Sequence, residues 1–274
     1  MMNLLIRKAT LADCAGFQHL HREDNDPWHS EKECTAWVCK RLERGFYIQA
    51  AELDGKIVGH GEWIVNDGPE GKFLYLGMLQ VDADYQKRGI GYKMIEDGAR
   101  YAKELGCSRI VTIPDMETGS IEFYRKCGFM EGRKIKNVYL PTRDAGYSQI
   151  YTSSENIPFS VIKSHLFIFG LGQASSRHIW EVYNQKPATD YRFTTALLST
   201  EVCIQLGWFE EDESAYALLW CQTPVSKYVG DILSLGYRKG FRFVEFNFFE
   251  AYEYMFEPYG SDIQTRDIEI FKTI

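Results

Sequence analysis

"VDADYQKRGIGYKM", residues 81–94, joins an apolar run to an amphipathic one through Gln86, Lys87, Arg88, Gly89 and Gly91. A strand that ends in a glycine-rich turn and opens a helix leaves backbone N–H groups without partners. The positive end of the helix dipole lies behind them, so the junction attracts phosphate. Glycine has no Cβ, so an anion can come close to the main chain at 89 and 91. Lys87 and Arg88 add charge. The stretch reads as a diphosphate cradle; a tight turn carrying solvated cations is the plainer reading of the same residues. A Walker loop needs G-x-x-x-x-G-K-[ST], which the chain lacks. A dinucleotide fingerprint needs a third glycine where Met94 stands, and "GLGQAS" at 170–175 lacks it too.

Outward from the turn, "FLYLGMLQV" (73–81) is apolar enough for a strand covered on both faces. "YKMIEDGARYAKELG" (92–106) is a helix with Met94, Ile95, Ala99 and Ala102 inward. "SRIVTI" (108–113) is a buried strand, "TGSIEFYRKCG" (118–128) a short helix and "KIKNVYL" (134–140) a strand. Upstream, "LLIRKA" (4–9) is a strand. "TLADCAGFQHLHRED" (10–24) is a helix capped by Thr10, with Leu11, Cys14, Phe17 and Leu20 on one face. "SEKECTAWVCKRLERG" (30–45) is a second helix with a Ser30–Glu33 capping box and a Gly45 stop. Asp54-Gly55 makes a hairpin of residues 47–65, and "NDGPEGK" (66–72) reads as a loop.

This combination resembles the GNAT superfamily of N-acetyltransferases. Its signature is an apolar strand, [QR]-x-x-G-x-[GA], an amphipathic helix, a buried strand and a short helix ending in Y-x-x-x-G-F. Here these are "LGMLQVDADYQKRGIG", "YKMIEDGARYAKELG", "SRIVTI" and "FYRKCGF". The resemblance implies a mixed, mostly antiparallel twisted sheet flanked by helices. It also implies acetyl-CoA as co-substrate, bound without metal. Leu79, Gln80 and Val81 would pair their backbone with the pantetheine arm. The amides of Gln86, Lys87, Arg88, Gly89, Ile90 and Gly91 would hold the pyrophosphate, with Tyr92 opening the helix behind them. Tyr124 matches the family tyrosine aimed at the thioester sulfur, where a phenol can protonate the departing thiolate. Glu62, on the strand before the cofactor strand, is the candidate base for the incoming ammonium, with His60 beside it at period two. Asp24, Asp26 and Trp28 fall where the family builds its acceptor wall. Glu117 and Ser120 depart from the family's usual asparagine and alanine, and Asp82-Ala83 stands where proline is common. The expected reaction is acetyl transfer to a small-molecule or peptide amine. A non-catalytic acyl-CoA-binding or regulatory module is the alternative.

Turn formers without period cluster in "PTRDAGYSQIYTSSENIPFS" (141–160). The expected organisation is an acetyltransferase domain at 1–142, a linker at 143–160 and a smaller GNAT-like or α+β domain at 161–274. The order of elements then repeats: "HLFIFG", "SSRHIWEVYNQ", three strands over 191–222, "VGDILSLGYRKG", "FRFVEFNF", "EAYEYMFEPYG" and "DIEIFKTI". The cradle does not repeat. "CQTPVSKYVGDIL" (221–233) keeps only Gly230, and Tyr259-Gly260 is followed by Ser261. No acetyl-CoA is expected there; the second half would cover the acceptor site or form a homodimer face. Trp208, Trp220, Phe246 and Phe248 read as core.

The 274 residues carry a net charge of −7, which gives nucleic-acid phosphates nothing to pair with. No run approaches the ~20 apolar residues that span a membrane. Seven scattered cysteines without a C-x-x-C pair argue against a disulfide framework or a zinc site, and for a reducing cytoplasm.

Overall fold

A computed structural model describes residues 3–21, 30–43, 45–68, 71–114, 119–144, 152–153, 160, 162, 165–169, 191–199, 201–209, 213–260 and 263–274. The chain divides into two compact units, Met1–Glu131 with Ile270–Ile274, and Gly132–Glu269.

In the first unit, strand β1 (Leu4–Lys8) is followed by helices α1 (Cys14–Leu20) and α2 (Glu31–Glu43). Strands β2 (Tyr47–Leu53), β3 (Lys56–Gly68) and β4 (Gly71–Val81) come next, then helix α3 (Ile90–Glu104), strand β5 (Arg109–Thr112) and helix α4 (Ser120–Lys126). β1 to β4 are antiparallel in sequence order, and β5 lies parallel to β4. Asp54 and Gly55 both adopt positive φ, as the tight β2–β3 turn requires. Helix α2 starts on Ser30, whose Oγ accepts from Glu33 N at 3.2 Å and donates to the Glu33 carboxylate at 2.6 Å. α1 and α2 cover one face of the sheet with Cys14, Phe17, Cys34 and Val38. α3 covers the other with Ile90 and Met94. Gly98 of α3 is fixed by packing: a Cβ there would run into the ring of buried Trp63.

In the second unit, β6 (Met130–Pro141), β7 (Thr152–Ser153), β8 (Leu166–Phe169), β9 (Tyr191–Ser199), β10 (Val202–Phe209) and β11 (Ser214–Cys221) precede helix α5 (Lys227–Lys239), strand β12 (Phe243–Phe249) and strand β13 (Gln264–Thr273). Here too one parallel pair, β11–β12, sits among antiparallel ones. Val244, Phe246 and Phe248 pack with Ile232 and Phe256 in its core.

Several expectations are corrected. Leu11 is 47 % exposed because a 3-10 turn, Leu11–Asp13, rather than the α-helix carries it. Ala99 is only half-buried; Asp97 and Gly98 take the inward places. Within the expected loop at 66–72, residues 66–68 and 71–72 are strand ends, because the ladder runs on through Asp67–Lys72 and Gly68–Gly71. Residues 250–259 form a 3-10 helix containing Pro258, which has no N–H for an α-helical bond. The division near residue 131 differs from the expected 142. β6 pairs in register with β12, from Ile135–Phe249 to Pro141–Phe243, and belongs to the second unit. The final residues return to the first, where Ile270–Thr273 pair with Thr112–Arg109. Thr152 and Ser153, inside the expected linker, pair with β9. The expected helix at 175–185 lies outside the described residues.

Candidate active site

The turn 82–92 is built from its own side chains. Asp82 accepts from Asp84 N at 3.0 Å and caps a 3-10 turn, Ala83–Tyr85. Gln86 Nε2 donates to Val81 O at 3.0 Å, and Arg88 to Asp84 O at 2.8 Å. Gln86 and Arg88 thus brace the loop. Lys87 and Gly89 both have positive φ, +60° and +80°. Left-handed residues in a turn swing successive N–H groups to one side and form an anion-binding concavity. Lys93 N is the first amide beyond it to find a carbonyl, Gly89 O at 3.1 Å. The N–H groups of Ile90, Gly91 and Tyr92 belong to the open first turn of α3.

The two glycines serve different ends. A Cβ on Gly89 would meet nothing within 4 Å, so its backbone angle and the open space above it call for glycine. A Cβ on Gly91 would stand 3.1 Å from the Phe123 ring, so that glycine also lets α4 approach α3.

β4 and β5 pair only over Phe73–Tyr75 opposite Arg109–Val111. β4 then bulges: Glu62 faces Met78 and Trp63 faces Leu76, leaving Gly77 unmatched. Among the described residues no strand pairs with the β5 side of Leu79, Gln80 and Val81. Leu79 and Val81 pack with Ile90 and Met94, and Gln80 points to the opposite face. Where the strands part, Thr112 Oγ1 donates to Leu76 O at 2.9 Å. Tyr124 hydrogen-bonds Thr112 from α4, and its ring packs edge-on between Phe123 and Phe129. Burial pushes its phenol up to about 12.

Glu62 is 2 % exposed and engaged on both oxygens. Trp37 Nε1 donates to Oε1 at 2.8 Å, and Arg41 Nε lies 3.2 Å from Oε2. Arg41 also stacks over the Trp37 ring at 4.1 Å and the Phe46 ring at 4.5 Å. An ammonium could reach this carboxylate only by displacing one of them. The sequence reading missed this pair, whose signal is a Trp and an Arg four apart on one face of α2. His60 is buried against Phe17, its Nδ1 3.0 Å from His21 Nε2 and its Nε2 3.6 Å from Glu62 Oε1. Asp24, Asp26, Trp28 and Glu117 lie outside the described residues.

Burial first, then His21 and Arg41, holds the His60 imidazole well below its usual 6.5. It folds neutral, and the unfolded chain takes the proton more readily. Its contribution to stability is therefore whole above pH 6.5 and is lost as pH falls below it. Urea midpoints should drop between pH 6.5 and 5 with a slope of at most about 1.4 kcal/mol per pH unit from this group. His60→Gln should flatten that slope; an unchanged slope would show that other groups carry it.

In the second unit the turn that opens α5 is closed. Tyr228 N and Val229 N donate to Val225 O and Ser226 O, both at 3.1 Å. The Tyr259 hydroxyl donates to Ser226 O at 3.1 Å and accepts from Gly230 N–H. A Cβ on Gly230 would meet that hydroxyl at 3.0 Å. The amides of Tyr228, Val229 and Gly230 at the start of α5 are thus satisfied from within the chain.

All seven cysteines carry free thiols. Among the described residues no cluster of three His, Cys, Asp or Glu could hold a metal ion, and no helix is long and apolar enough to cross a membrane.

Residues 11–129 match the Acetyltransferase (GNAT) family. An uncharacterised N-acetyltransferase of Methanocaldococcus jannaschii is 34 % identical over 105 residues; the match spans 36 % of this chain and 45 % of that protein. Two solved structures share the fold over nearly the whole chain. The GCN5-related N-acetyltransferase of Kribbella flavida has a TM-score of 0.70 at 10 % identity, covering 99 % of this chain and 71 % of its own. That of Sphaerobacter thermophilus has 0.57 at 13 % identity, covering 98 % and 95 %. The strand, turn, helix and tyrosine built above all lie inside residues 11–129, the segment that matches the GNAT acetyltransferase family.

Proposed function

We propose that the first unit transfers acetyl from acetyl-CoA to a primary amine of a small molecule or peptide. The observation that carries this is the meeting of three features: a turn with outward amides at 87–92, an unpaired edge on β4, and a phenol at the parting of β4 and β5. The amides and Lys87 would hold the pyrophosphate, and the backbone of Leu79, Gln80 and Val81 would pair with the pantetheine arm. The amine's lone pair attacks the thioester carbon, the C–S bond breaks, and the sulfur takes the Tyr124 proton. The amine's own proton leaves to water or a carboxylate. Glu62 is a positioning residue in this reading: it holds Trp37 and Arg41, and with them α2, against β3. The free thiols favour a reducing, cytoplasmic setting.

The test mixes purified protein, acetyl-CoA and a panel of amines and follows thiol release. Turnover is expected with at least one amine. Gly91→Val should raise the acetyl-CoA Kd about 100-fold, since its side chain must displace Phe123 and enter the cradle. Acetyl-CoA binding without thiol release from any amine would favour the binding-module alternative.

A further inference from the structure

The helix that carries Tyr124 ends on a closed turn. Cys127 N–H donates to Tyr124 O at 3.0 Å, and Gly128 N–H to Arg125 O at 3.0 Å. Phe129 N–H returns to Tyr124 O at 3.0 Å. Gly128 supplies the left-handed φ of +86° that this ending needs. The Phe129 ring then packs edge-on against the Tyr124 ring, with centroids 5.3 Å apart. None of these bonds uses Cys127 O. Lys272 Nζ donates to that carbonyl at 2.7 Å.

Lys272 lies 145 residues from Cys127 in sequence, yet residues 270–274 belong to the same unit. Register sets Lys272 opposite Ile110 and Ile270 opposite Thr112. Phe271 packs with the cluster under α1 and α2, so the alternate side chains, Ile270 and Lys272, turn to the other face of the sheet. Ile270 is buried there, and a lysine beside it breaks the apolar pattern unless its ammonium has a fixed partner. The end of a helix is such a partner, because its last carbonyls carry partial negative charge. The same strand holds the other side of the phenol. Thr112, which hydrogen-bonds Tyr124, lies past the last β4–β5 pair and takes Ile270 as its ladder partner. Ile270 and Lys272 thus hold both the hydroxyl that the phenol meets and the end of the helix that carries it.

We propose that Lys272 is a positioning residue for Tyr124: its bond to Cys127 O ties the end of α4 to β13 and so aims the phenol at the departing sulfur. The inference rests on the acetyl-transfer reading. Helix α4 has seven residues, too few internal bonds to hold a helix by themselves. The closed turn fixes Tyr124 to Phe129 within one segment; Lys272 fixes that segment to the sheet. A displacement of about 1 Å at a reacting group can cost up to about 100-fold in rate. The phosphate cradle and the open edge of β4 stand on other elements, so acetyl-CoA affinity should not follow the rate.

Thiol release with the amine that the panel identifies is compared in the parent, Lys272→Met, Tyr124→Phe and the double variant. Lys272→Met keeps the stem and loses the donor. It should lower kcat about tenfold and leave the acetyl-CoA Kd within about twofold. In the Tyr124→Phe background the same change should cost less than about twofold, because the phenol it positions is already gone. Lys272→Arg keeps a cationic donor and should bring kcat back to within about threefold of the parent. Hydrogen exchange needs no amine. Amides of 120–129 should lose about tenfold in protection in Lys272→Met, while those of α3 keep theirs and show that the variant is folded. The inference is overturned if Lys272→Met costs as much in the Tyr124→Phe background as in the parent, or if 120–129 exchange as they do in the parent. A parental rate in Tyr124→Phe overturns the acid role itself and this inference with it. A loss of about 100-fold there, beside a parental rate in Lys272→Met, overturns this inference alone.

Discussion

Tyr124→Phe is expected to lower kcat about 100-fold or more while the Kd for acetyl-CoA stays within about twofold. The hydroxyl bonds Thr112, which keeps its own bond to Leu76 O when the phenol is gone. The ring keeps its packing on Phe123 and Phe129. Loss of one hydrogen bond of this kind costs about 1 kcal/mol, so the variant should fold. Burial also constrains the chemistry. A phenol near 12 is fully protonated in any ordinary assay. Complete transfer to a thiolate of pKa about 8.5 would be uphill by roughly 5 kcal/mol. The proton must therefore move as the C–S bond opens rather than before. It follows that kcat has no alkaline limb from this group below about pH 11. A loss under threefold, or an alkaline limb near pH 9 that disappears in Tyr124→Phe, would remove the phenol from this role.

What the sequence could disclose follows the range of the interactions. The cradle and the Asp54-Gly55 turn are local, because backbone angles at a few neighbouring residues define them. Tyr124 was legible because strand and helix order set its place. Residues that meet across long separations were not. Nothing near Glu62 announces that Trp37 and Arg41 will close on it from α2. Nothing near Gly91 announces Phe123, which supplies half the reason for that glycine. Strand partnership is the extreme case. The patterns of β6 and β13 mark them as strands, yet alternation is blind to the neighbour, and each pairs with a strand that pattern alone would not choose. In the second unit the absence of a glycine pair before α5 was visible, but the hydroxyl of Tyr259 between Ser226 O and Gly230 N–H was not.

Glu62 separates two ways of using a carboxylate. If it clamps α2, Glu62→Ala should lower unfolding free energy by about 2–3 kcal/mol, because Arg41, only 21 % exposed, is left without its counter-charge. Arg41→Ala should cost a similar amount for the converse reason. The double variant should lose less than the two together, since it strands neither charge. Glu62→Gln should fall between, keeping an acceptor for Trp37 but no charge for Arg41. Activity should then drop in step with the loosening of α2, and the acid limb of kcat/KM should stay where it is in the parent. A general base predicts otherwise: Glu62→Gln would keep the parent's stability, lose about 100-fold or more in rate, and lose the acid limb. Urea unfolding and a pH–rate profile on the same four proteins decide between them. The geometry favours the clamp, because an incoming ammonium meets a carboxylate whose two oxygens already hold an indole N–H and a guanidinium.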